Sequence, residues 1–143
     1  MIKLITQNPK GAVTNAVCAL SNLHLAQTKI MQGLDSPESS IEQSKATYFR
    51  DEAYFQISSS RQLNGSYMEG DAVAALHLVS FSQLSGGQFP WQDAFAVLCD
   101  WLIQTSLPSA ENPCTVYNNM SPFSQYIVKA TIVSSFLLGK RAC

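Results

Sequence analysis

Between Arg61 and Lys129 the chain carries no lysine or arginine, and from residue 71 to 107 its only charges are Asp71, Asp93 and Asp100. Two helical periods run through that stretch. Over Ala72 to Leu84, the residues Val73, Leu76, Phe81 and Leu84 fall on one face and Ala72, Ala75 and Val79 on another. Over Trp91 to Ser106, a stripe of Trp91, Phe95, Leu98 and Leu102 has Val97 and Trp101 beside it. A helix that is apolar on more than one side belongs in an interior. The two segments are therefore expected to form a buried central pair, with Leu76, Phe81, Trp91, Phe95, Leu98 and Trp101 as its core. The small second face of the first segment would let a neighbouring helix approach closely.

The flanking chain has the same period. Val13, Ala16, Val17, Leu20, Leu23 and Ile30 mark a first helix that Gly33 stops. Ser36-Pro37-Glu38 is a helix start, because serine can cap free N–H groups and a proline at the first position has no N–H to leave unpaired. The second helix runs to about Arg61, with an expected buried side of Ile41, Tyr48 and Phe55, every seven residues, and Phe49 beside them. Glu42, Lys45, Arg50, Asp51 and Glu52 supply its expected wet side. Asn64-Gly65 is turn chemistry, Asp71 a cap for the third helix and Gly86-Gly87 its end. Proline, asparagine and serine mark residues 109 to 120 as a loop. Ser121-Pro122 then starts a fifth helix through Tyr126, Ile127, Ala130 and Leu137. With short connections and no strand-like alternation, the expectation is an all-α fold of about five antiparallel helices in one domain.

Composition excludes several functions. The 143 residues carry a net charge of −1 with a pI near 6.0, which offers no basic footprint for nucleic acid or anionic lipid. No run approaches the roughly 20 apolar residues that cross a bilayer. Charged residues make up 13 %, about half of the roughly 25 % of ordinary domains, so some faces are expected to pack on something else. Cys18, Cys99, Cys114 and Cys143 lie far apart, without the paired spacing of a metal site, and fit small buried hydrophobes in a reducing compartment. His24 and His77 each sit in an apolar helix, where an imidazole hydrogen-bonds a core carbonyl or orients a ligand. A Cys99 thiolate with His77 as its base would need an oxyanion-hole loop that the sequence does not show. Ser85-Gly86-Gly87 lacks the length and the lysine of a phosphate loop. No enzyme is expected.

Taken in order, Asn15-Ala16-Val17-Cys18-Ala19-Leu20-Ser21, Tyr48-Phe49-Arg50-Asp51-Glu52-Ala53, Asp71-Ala72-Val73-Ala74-Ala75-Leu76 running to Gly86-Gly87, Trp91, Cys99-Asp100-Trp101-Leu102, Pro122 and Val128-Lys129-Ala130-Thr131 carry a likeness. The chain resembles the middle regulatory region of fungal zinc-cluster transcription factors over about residues 8 to 132. The resemblance implies a nuclear regulator of RNA polymerase II transcription, of which this chain is a partial helical regulatory domain, a fragment or truncated product. It implies partners in other parts of the same regulator and, as in some members, a small-molecule effector. The effector pocket is expected where the third and fourth helices meet, near His77, Ser80 and Cys99. Zinc would belong to the family's six-cysteine DNA-reading cluster, which has no counterpart here, so this chain is expected to hold no metal and to contact no DNA itself. A free-standing helical adaptor that binds partner helices in a groove is the alternative.

Overall fold

The computed structural model describes Asn8, residues 11–33 and residues 37–137, and among these it has six helices and no strand. They are α1 (Ala12–Met31), α2 (Pro37–Asn64), α3 (Glu69–Leu84), α4 (Gln92–Gln104), α5 (Pro113–Asn119) and α6 (Pro122–Leu137). The all-helical expectation holds. The count of five does not, because α5 occupies the stretch taken for a loop. Its cause is local: the Asn112 side chain accepts the Thr115 N–H at 3.4 Å, and Pro113 fills a first-turn position that needs no donor.

The central pair is where the charge gap puts it. In α3, Ala72, Val73, Ala74, Ala75, Leu78, Val79 and Phe81 are buried; in α4, Ala94, Phe95, Val97, Leu98, Trp101 and Leu102 are. Leu76 and Trp91 are half-buried against the same cluster, while Leu84 is exposed. Gly86 and Gly87 end α3 at φ of +67° and +87°, backbone that side chains rarely adopt. At the other end of α3, Met68 occupies the cap position and Asp71 the third helical one, so Asp71 is not the cap itself. Its carboxylate instead reaches back to accept the Met68 N–H at 2.8 Å.

The second helix corrects the sequence reading. Ile41, Tyr48 and Phe55, expected inside, are 53 %, 61 % and 63 % exposed, whereas Ala46, Ala53 and Ile57 are buried. The reason lies in α1, the main packing partner of α2, which presents Ala16, Ala19 and Ala26 with no exposed surface. Two alanine-lined faces bring the backbones close, and large rings do not fit between them. The expected polar side holds at Lys45 and Asp51, which are exposed, but not at Arg50 and Glu42. The Arg50 guanidinium lies 4.9 Å from the Tyr54 ring centre and 4.8 Å from that of Phe89, and its side chain is only 14 % exposed. Glu42, at 13 %, pairs with Lys29 of α1 at 3.4 Å. In α1 itself Leu23 is buried, but Ile30 and His24 are exposed.

Helix α6 starts at Pro122 as expected, with the Ser121 hydroxyl accepting the Ser124 N–H at 3.1 Å. Its inner side is Ile127, Val128, Thr131 and Ser135, and the Thr131 hydroxyl is satisfied by donating to the Ile127 carbonyl at 2.7 Å. Tyr126 and Leu137 are exposed, and Ala130 is half-buried. Glu69 fixes where α6 sits on α3, since one carboxylate oxygen accepts the Ser121 hydroxyl at 3.2 Å and the Ser124 hydroxyl at 3.0 Å.

Candidate functional site

Val73, Leu76, His77 and Ser80 recur at steps of three and four, which puts them on one face of α3. Phe123 and Tyr126 of α6 face them, and the six residues line a groove of about 380 Å³. That is near the lower end of the roughly 300–1,000 Å³ of small-molecule sites. His77 Nδ1 lies 2.8 Å from the Val73 carbonyl and donates to it, which leaves Nε2 as the acceptor nitrogen. Ser80 donates to the Leu76 carbonyl at 3.3 Å. The groove therefore offers an aromatic wall, an apolar floor and one imidazole acceptor, a combination suited to a small, largely apolar molecule with a single donor.

The structure brings together two of the three pocket residues named from sequence. His77 and Ser80 line the groove; Cys99 does not, because the facing wall is α6 and not α4. Cys99 is half-buried in the main core and disulfide-bonded, whereas Cys18 and Cys114 are free, half-buried and exposed respectively. The expected burial is thus met in part at Cys18 and Cys99 and not at Cys114, and Cys143 lies outside the described residues. Phe123 and Tyr126 were missed. Their spacing of three marks a shared face, but no signal within α6 says that this face meets α3.

A second cavity, of about 510 Å³, lies where the start of α1, the end of α2 and the start of α3 converge, among Gln56, Ser60, Asn64, Glu69 and Asp71. Burial pushes the Asp71 carboxyl above its ordinary value of 3.8, and the Met68 N–H and the Ser60 hydroxyl, the latter at 2.8 Å, oppose that in part. Between α2 and α4, burial likewise raises the Tyr54 phenol above 10.0, with Arg50 acting the other way. Among the described residues, no three histidine, cysteine or acidic side chains gather as metal ligands, and no helix is long and apolar enough to cross a membrane. No family model, curated protein or solved structure matches the chain.

Proposed function

We propose that this chain is part of the helical regulatory region of a fungal zinc-cluster transcription factor, acting by helix packing and by sensing a small effector in the His77–Ser80 groove. The observation that carries the reading is the outer face of α6. Phe136, Leu137 and Val133 are 82 %, 72 % and 56 % exposed on a helix whose other side is already buried. A helix apolar all round has its place inside a larger helical body. In this reading the remaining helices of the regulator cover α6, zinc is held by the separate six-cysteine cluster, and the chain itself carries out no catalysis and contacts no DNA.

The bare α6 face also suits a second reading, a free-standing helical adaptor that receives a partner helix. Sequencing the transcript that carries this chain separates the two. An in-frame cysteine- and lysine-rich segment ahead of it is the expected result; a message coding for these 143 residues alone overturns the regulator reading. In the same protein, Tyr126 fluorescence should saturate on titration with a matching small apolar donor. A panel of such metabolites that leaves it unchanged removes the effector part.

A further inference from the structure

Ile41, Tyr48 and Phe55 stand exposed on the side of α2 opposite Ala46, Ala53 and Ile57. Their spacing is seven and seven. At about 100° per residue, a seven-residue step returns to within about 20° of its starting direction, so the three side chains form one ridge on a 28-residue helix. One large apolar residue per heptad is half of the two-per-heptad seam of a coiled coil, and aligns a short contact with a second helix.

The flanking charges say which helix fits against it. The ridge is symmetric about Tyr48, so an antiparallel copy centred there sets Ile41 against Phe55 and Tyr48 against Tyr48. Lys45 and Glu52 lie on the same flank of the ridge, three residues before and four after its centre, with Lys45 exposed and Glu52 half-buried. In the antiparallel pair the Lys45 of each copy therefore comes level with the Glu52 of the other, twice per dimer, and Ser44 comes level with Asp51 on the opposite flank. In a parallel pair the flanks are exchanged, so Glu52 of each copy would meet Asp51 of the other, like against like, and Lys45 would meet only Ser44. The exposed face of α6 offers no such match, since its one charge is Lys129 and it has no acidic residue.

We propose that two copies of this chain associate through an antiparallel α2–α2 seam formed by Ile41, Tyr48 and Phe55, with orientation set by the reciprocal Lys45–Glu52 pairs. Three large side chains from each copy place the contact at or below the lower end of the roughly 1,200–2,000 Å² of stable interfaces, so the dimer is weak and reversible. The seam is independent of the effector groove, which lies between α3 and α6.

Sedimentation velocity on the intact chain over a concentration series tests this. A monomer–dimer equilibrium is expected that tightens as salt is lowered. Lys45→Glu should weaken it about tenfold by juxtaposing carboxylates at both flanks, and Lys45→Glu with Glu52→Lys should restore it to within about twofold. Phe55→Glu should leave only monomer. A chain monomeric at every concentration overturns the proposal. So does a dimer indifferent to Phe55→Glu, or one that Lys45→Glu weakens and the double reversal fails to rescue.

Discussion

Helices α3 and α2 both carry large apolar residues at helical spacing. In α3 Val73 and Phe81 mark the core, with Leu76 half-buried and Leu84 exposed, whereas in α2 the heptad ridge lies on the surface. In α3 the side chains of Val73, Leu78, Val79 and Phe81 are buried, and α4 answers with Phe95, Leu98, Trp101 and Leu102. In α2 the heptad residues Ile41, Tyr48 and Phe55 are outside, while Ala46, Ala53 and Ile57 are inside and Phe49 is half-buried against the Phe81 cluster. The difference is what lies opposite. The α3–α4 contact fills its space with branched and aromatic volume, whereas on the α1–α2 side Ala16 clusters with Ala53 and Ala19 with Ala46, all with almost no exposed surface. Periodicity finds both faces of such a helix, but it ranks them by size, and size is the wrong measure where small residues bring two backbones together.

The largest expected effect tests the first half of that contrast. Phe81 is fully buried, packs with Ala19, Leu23 and Ala46, and has the Phe89 ring 5.3 Å from its own. Phe81→Ala should destabilise the fold by about 3–5 kcal/mol through lost burial and the cavity left behind. Phe55→Ala, measured at a concentration where the chain is monomeric, should cost no more than about 0.5 kcal/mol. Equal losses in urea denaturation would mean that the α2 ridge is part of the core. The next effect addresses the second half. Ala53 has no exposed surface, so Ala53→Leu must push α1 and α2 apart and should cost about 1–3 kcal/mol, although leucine is the better buried hydrophobe. A stabilised variant would show a void at the α1–α2 contact and would restore size as the criterion.

The same distinction governs how far the sequence could be read. Helix starts at Pro37 and Pro122 and the stop at Gly86-Gly87 were legible because each rests on the chemistry of one or two residues. The α4 stripe was legible because every residue on it is large. Helix α5 was not, since seven residues with no buried side chain leave no period to find and only Asn112 marks the start. The groove was half legible. His77 and Ser80 share a face with Val73 and Leu76, which the α3 period reveals, but its other wall depends on Glu69 meeting Ser121 and Ser124 more than fifty positions away. Long-range docking of this kind leaves no local trace, and α4, next in sequence, was the natural but wrong choice for that wall.

The smallest effect concerns a polar link between α2 and α3. Ser60 of α2 donates to Asp71 of α3 at 2.8 Å, and the Met68 N–H donates to the same carboxylate oxygen. Burial raises the Asp71 pKa above 3.8, so the native state holds the proton more tightly than the unfolded chain. Protonated Asp71 therefore favours folding below the unfolded value, and that contribution is lost as pH rises through the folded one. In Asp71→Asn a single amide oxygen can still accept both donors, and no buried charge has to form. The variant should therefore differ from wild type by less than about 1 kcal/mol, the scale of one hydrogen bond, and should gain relative to it as pH is raised from about 4 to 7. Urea midpoints across that range read the sign directly: a relative loss with rising pH would mean that the Asp71 charge holds α2 to α3, and that the α2 side of the molecule depends on electrostatics as well as on its alanines.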